Sequence, residues 1–120
     1  MKILIVDDEP IVLDSCKRIL EVEGHAVTVV RSADAALKAI SAERFALVLM
    51  DIKMPSRDGL SLLREVKEKW PDIPVIIMSG YATPETMIQV SETEASCFIA
   101  KPFTPDELTE AVARVIGKEG

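Results

Sequence analysis

Lys2-Ile3-Leu4-Ile5-Val6-Asp7-Asp8-Glu9-Pro10 opens the chain with an almost unbroken apolar run that stops on acids. Lys2 to Val6 is too short for a helix and rich in Ile and Val, as a strand buried on both faces should be. The same event recurs three times: Phe45 to Met50 stops on Asp51, Val75 to Met78 on Ser79, and Phe98 to Ala100 on Lys101. If these runs are parallel strands of one sheet, their carboxyl ends share an edge. Three carboxylates, a hydroxyl and an ammonium then converge in one crevice.

The intervening segments have helical spacing. From Pro10 to Glu23 the apolar positions Val12, Cys16, Ile19 and Leu20 recur at three and four, Pro10 suits a first turn, and Gly24 is placed to end the helix. Ala26 to Val30 reads as a strand, Ser32 to Ser41 as a helix, and Leu60 to Trp70 as a helix with Leu63, Val66 and Trp70 inward, closed by Pro71. Thr83 to Thr93 is a weaker helix with Pro84 at its first turn. The last helix is the best signed: Thr104-Pro105-Asp106-Glu107 offers a cap, a proline at the first position and a glutamate three residues after the cap. Leu108, Ala111, Val112, Val115 and Ile116 follow on one stripe. Five alternating units predict an α/β domain over residues 1–120, a three-layer, doubly wound, five-stranded parallel sheet. The expected order is 2-1-3-4-5, the flavodoxin-like (βα)5 arrangement, which sets Asp7, Asp8 and Asp51 side by side at the switch point.

Composition limits the function. A chain of 120 residues can bury roughly two thirds of its unfolded surface in one core. With 48% hydrophobic and 28% charged residues it reads as soluble and globular, and its longest apolar run, Phe45 to Met50, is far too short to span a bilayer. No signal peptide or membrane anchor is recognised, so a cytoplasmic location is expected. The net charge of -6 and pI near 4.8 argue against direct nucleic-acid binding, which needs clustered Lys and Arg. Cys16 and Cys97 lack CxxC spacing or a nearby histidine, which points to a reducing compartment and small core side chains rather than a disulfide or zinc site. His25 has no ligand-spaced partner and reads as a surface or strand-edge residue. Met50, Met54, Met78 and Met87 read as core or loop packing, and Trp70 as the seal of its helix end.

Crowded carboxylates repel by about 4 kcal/mol per pair at 4 Å and an effective dielectric near 20. A cation relieves this. Mg2+ takes hard oxygen ligands and is often held by one or two carboxylates together with a phosphate. Asp51, alone at the end of its strand, is the natural carboxylate nucleophile toward a phosphoryl donor, with Lys101 and Ser79 placed to contact the phosphoryl oxygens. Taken singly, these residues have plainer readings: Asp-Asp-Glu complements a helix dipole, and a lone Asp or Ser-Gly marks a turn. Their joint placement at four strand ends decides for chemistry.

Through Ile5-Val6-Asp7-Asp8-Glu9, Met50-Asp51-Ile52-Lys53-Met54-Pro55, Asp58-Gly59, Ser79-Gly80 and Lys101-Pro102-Phe103, the chain resembles the receiver domain of bacterial two-component response regulators over its whole length. The resemblance implies that Asp51 is the phosphoacceptor, that Asp7 and Asp8 are the acidic pair for Mg2+, and that Lys53 offers the metal a backbone carbonyl. It implies that Ser79 is the switch hydroxyl, that Phe98 is the aromatic that turns inward with it, and that Lys101-Pro102 is a cis peptide. Gly80 fits the demand for a small residue beside the hydroxyl, and the side chains of Lys53 and Tyr81 fall where they obstruct or guide attacking water. The implied partners are a sensor histidine kinase or phosphotransfer protein and a downstream effector or fused output domain. The implied activity is a signalling switch that slowly hydrolyses its own acyl phosphate.

Glu94-Ala95-Ser96-Cys97 departs from the Gly-Ala-Asp-Asp that many receivers carry before the fifth strand. The missing acids lower the weight of dimerisation through the fourth helix, fifth strand and fifth helix, and a different end to the fourth helix is expected. Three alternatives stay open. A phosphatase resembling the haloacid dehalogenase group would want a second acid where Lys53 stands. A module resembling flavodoxins would want a hydroxyl- or glycine-rich loop where Asp7-Asp8-Glu9 stands. A degenerate receiver would act only through protein contacts. The ending Lys118-Glu119-Gly120 fits both a stand-alone receiver and the cut edge of a longer regulator.

Overall fold

Five parallel strands form the centre: β1 (Lys2–Val6), β2 (Ala26–Val30), β3 (Leu47–Asp51), β4 (Val75–Ser79) and β5 (Cys97–Ala100). The computed structural model describes residues 1–54, 57–80, 83–93 and 95–117. The sheet order is β2-β1-β3-β4-β5, as the alternation of elements predicts. The helices are α1 (Pro10–Val22), α2 (Ala33–Ala42), α3 (Gly59–Lys69), α4 (Pro84–Ser91) and α5 (Pro105–Gly117).

The two-residue period of a strand sorts the core into two halves. Leu4, Val6, Val48, Met50, Val75 and Ile77 pack on one face with Ala36 and Ile40 of α2 and Leu62, Leu63 and Val66 of α3. Ile3, Ile5, Leu47, Leu49, Ile76 and Met78 pack on the other with Leu13, Cys16 and Leu20 of α1 and Leu108, Ala111 and Val112 of α5. Burial on both faces explains the continuous apolar runs, and each such side chain contributes roughly 1.5–3 kcal/mol of transfer free energy. Phe98 and Trp70 are partly buried against the first half, and Cys97 against the second.

Local signals set the helix ends. Thr104 and Glu107 exchange reciprocal bonds: the Thr104 N–H donates to Glu107 Oε1 at 3.0 Å and the Glu107 N–H to Thr104 Oγ1 at 3.1 Å, the expected capping box. Ser32 caps α2 by accepting from the Ala35 N–H. α1 ends with Gly24 at φ 91°, its N–H donating to the Glu21 carbonyl and that of His25 to Leu20, a Schellman motif. Lys67 Nζ donates to the carbonyls of Pro71 and Ile73 beyond the end of α3.

Some boundaries differ from expectation. β3 begins at Leu47 rather than Phe45, because the ladder to β1 starts at Ile3 and Leu47, and it runs on through Asp51, paired with Met78. α4 stops at Ser91 rather than Thr93. There the Glu92 N–H still donates to the Ile88 carbonyl, joined by the Ser91 hydroxyl, but the Thr93 N–H and hydroxyl both turn to Val90, a tighter i to i+3 turn that closes the helix, and the Thr93 hydroxyl accepts from the Ala95 N–H. Met87 is exposed rather than packed. The readings made for Tyr81, Glu94, Pro55 and Lys118 to Gly120, and for the side chains of Lys53 and Met54, fall outside the described residues.

Candidate functional site

At the carboxyl edge of the sheet, Lys101 reaches back across three strands. Its ammonium lies 2.7 Å from Oδ2 of Asp7, 3.0 Å from Oδ2 of Asp51 and 3.3 Å from Oε1 of Glu9. Asp7 follows β1, Asp51 is the last residue of β3, and Lys101 follows β5 by a main-chain bond from its N–H to the Ser79 carbonyl at 2.8 Å. Asp7 and Ser79 have no solvent exposure, and Asp51 has 4%. The peptide between Lys101 and Pro102 is cis.

Carboxylate oxygens of Asp7, Asp8, Glu9 and Asp51 lie within 4.8 Å of one another. The Lys101 ammonium reaches three of these four carboxylates, those of Asp7, Glu9 and Asp51. Burial holds the Asp7 carboxyl above its ordinary range, although Lys101 and the Glu9 N–H both donate to it. Burial alone would lower the Lys101 value, but its bonds to Asp7 and Asp51, with their charges, overcome that and hold it above the ordinary lysine range. One ammonium shared among three carboxylates does not compensate each of them. The donor set, hard carboxylate oxygens crowded within 4.8 Å of one another, fits Mg2+.

Asp7, Asp8, Asp51 and Lys101 thus meet as the sequence predicts. Ser79 ends β4 and is buried next to the Lys101 main chain, while Gly80 leaves the mouth open, with Lys101 Cβ 4.0 Å from where its own Cβ would stand. Lys53 begins a two-residue strand paired antiparallel with Arg57 and Asp58, directly beyond Ile52. Two residues quoted from the sequence without an assigned role also take part. Glu9 joins the Lys101 network, a role that a third consecutive acid could have signalled. Gly59 starts α3 where a Cβ would stand 2.3 Å from Ile52 Cα and 2.7 Å from the Asp51 carbonyl oxygen. Beside the acids a cleft of about 680 Å3 opens toward Ile11, Val12 and Phe103.

The response regulator receiver domain model matches residues 3–113. The chain belongs to this family, the receiver domains of two-component response regulators. The receiver is 40% identical over 116 residues to the nitrogen assimilation regulatory protein NtrX of Azorhizobium caulinodans, a match covering 95% of this chain and 26% of that protein. The chain thus spans about a quarter of that relative's length. It superposes with TM-score 0.92 on a CheY-like response regulator receiver domain protein of Methanospirillum hungatei, at 38% identity, covering 99% and 98% of the two chains. The receiver domain of NtrX from Brucella abortus gives TM-score 0.90 at 38% identity, covering 96% and 98%. Receiver domains are signalling domains, and phosphorylation and Mg2+ are typical of them. Among the described residues no helix is long and apolar enough to cross a membrane.

Proposed function

We propose that this receiver, residues 1–120, is a phosphorylation switch in which Asp51 accepts a phosphoryl group from a phosphohistidine of a sensor histidine kinase or phosphotransfer protein. The observation that carries the reading is the Lys101 ammonium bridging the buried carboxylates of Asp7 and Asp51 from a third strand. A carboxylate oxygen of Asp51 attacks phosphorus, the P–N bond breaks with its electron pair returning to the imidazole nitrogen, and an acyl phosphate remains on Asp51.

Asp7, Asp8 and Asp51, with the main-chain carbonyl of Lys53, are the residues that would hold Mg2+. When bound, the ion neutralises charge on the incoming phosphoryl group. Lys101 exchanges a carboxylate oxygen for a phosphoryl oxygen and keeps a compact positive charge beside the new group. The Ser79 hydroxyl supplies a directional donor, and its movement toward the phosphoryl group makes room for Phe98 to turn inward, which carries the change outward. Slow hydrolysis regenerates Asp51, so the activity serves timing rather than metabolic turnover.

The relatives' much greater length supports a fused output domain or a separate effector as the recipient of the signal. The acidic charge supports an indirect link, if any, to nucleic acid, and the cytoplasm is the proposed location. Incubation with acetyl phosphate and Mg2+, followed by intact mass, tests the reading. The native chain gains one phosphoryl group and Asp51→Asn gains none; an unmodified native chain, or equal labelling of the variant, defeats it.

A further inference from the structure

We infer that Arg31 is a positioning residue for the Asp8 arm of the acid cluster. The inference rests on the reading that these acids hold Mg2+. Arg31 Nη2 donates to the main-chain carbonyl of Asp8 at 3.1 Å, across 23 positions of sequence. The neighbouring residue makes the matching bond: the Val30 carbonyl accepts from the Asp7 N–H at 3.2 Å. Two consecutive residues at the end of β2 therefore hold two consecutive residues of the turn that carries the acid pair.

The base of this strap is itself fixed. On one side Val30 is paired with Val6 in the sheet. On the other, Ser32 caps α2 through the Ala35 N–H. Within the turn the Glu9 N–H donates to Asp7 Oδ1, and Lys101 grips Asp7 and Asp51 through their carboxylates. Asp8 is gripped instead through its main chain, by Arg31. Mg2+ tolerates little departure from octahedral geometry, so a bond that sets the approach of one ligand sets affinity as well.

Arg31 also carries a positive charge that by itself repels a cation, so the strap and the charge act with opposite signs. Removing the side chain abolishes both, so the sign of the change in affinity shows which one dominates. Titration calorimetry of Mg2+ into the native chain, Arg31→Ala and Arg31→Lys reads the sign, with amide hydrogen exchange of Asp8 and Glu9 as a second measurement. The alanine variant is expected to bind about tenfold more weakly, the low end for an outer-shell partner, and to exchange those amides faster. The lysine variant, which keeps a donor and the charge, recovers most of the affinity. An alanine variant that binds Mg2+ as tightly as the native chain, or more tightly, overturns the inference and leaves the switch reading intact. A native chain that binds no Mg2+ overturns both.

Discussion

The ammonium of Lys101 stands 2.7 Å from Oδ2 of Asp7, a carboxylate 94 positions away with no solvent exposure. Breaking a buried pair from one side leaves a desolvated charge behind, typically at a cost of about 3–5 kcal/mol. Lys101→Met should therefore lower stability in chelator by about 2–4 kcal/mol, the lower figure reflecting the slight exposure of the lysine. Urea unfolding measures it. Mg2+ should stabilise the variant against urea by about 2.7 kcal/mol at a hundred times its Kd. An unchanged urea midpoint would mean that the pair contributes nothing.

Asp7 sets the acid side of the pH profile. Burial is the largest influence and holds its carboxyl above the ordinary 3.8, so the folded state binds this proton more tightly than the unfolded state does. The stability it contributes is complete below pH 3.8 and is lost as pH rises through the raised folded value. In chelator, the native chain should lose stability relative to Asp7→Asn across that interval and then level off. Lys101, also raised, keeps its contribution up to 10.5 and loses it only at higher pH. Parallel urea profiles for the two proteins across the acid range would refute the assignment to burial.

Gly59 and Gly24 separate a packing demand from a conformational one. A methyl group on Gly59 meets backbone, Ile52 Cα at 2.3 Å, so Gly59→Ala must displace either α3 or the chain just after Asp51. We expect a loss of about 1–3 kcal/mol together with slower phosphorylation by acetyl phosphate. Gly24 has open space but sits at φ 91°, and Gly24→Ala should cost about 1 kcal/mol with no change in phosphorylation rate. Equal phosphorylation rates in all three proteins would disconnect Gly59 from the site.

Cys16 lies beneath the cleft, and burial, with a smaller contribution from the Asp7 charge, pushes its thiol up to about 11. At mildly alkaline pH the native chain should therefore alkylate at the partly buried Cys97 and spare Cys16 until unfolding exposes it. Peptide mapping after iodoacetamide treatment checks the order. Equal labelling of the two in the native state would show that the α1 face opens readily.

Much of this was legible because several residues acted locally. Pro10, Gly24 and the Thr104 to Glu107 box each determine a helix end from within a few positions, and the apolar runs report strands covered on both sides. The convergence of Asp7, Asp51 and Lys101 follows once strand order is inferred, since parallel strands bring their ends to one edge. What escaped depends on through-space distances. No pattern in the sequence states that Arg31 reaches the Asp8 carbonyl or that the chain after Asp51 passes against Gly59. The early end of α4 also escaped, because Thr93 fits a helix until its N–H and hydroxyl both turn to the Val90 carbonyl.

Ser79 separates phosphorylation from its consequence. Its carbonyl already binds the Lys101 N–H, so the hydroxyl and the ammonium belong to one rigid junction of β4 and β5 while serving different steps. Shifting a two-state equilibrium from mostly inactive to mostly active takes about 5.5 kcal/mol, and one hydrogen bond to a charged group supplies about 1.5–3 of it. Ser79→Ala should therefore still gain a phosphoryl group on Asp51, yet its ratio of active to inactive conformer should fall roughly ten- to hundredfold. Nuclear magnetic resonance of the Phe98 ring and of the α4 and β5 amides, with and without acetyl phosphate and Mg2+, reads that ratio directly. If the alanine variant shows the full phosphorylation-induced shift, the switch does not run through Ser79, and the relay must begin instead at Lys101, whose ammonium is the other group positioned to follow the phosphoryl oxygens.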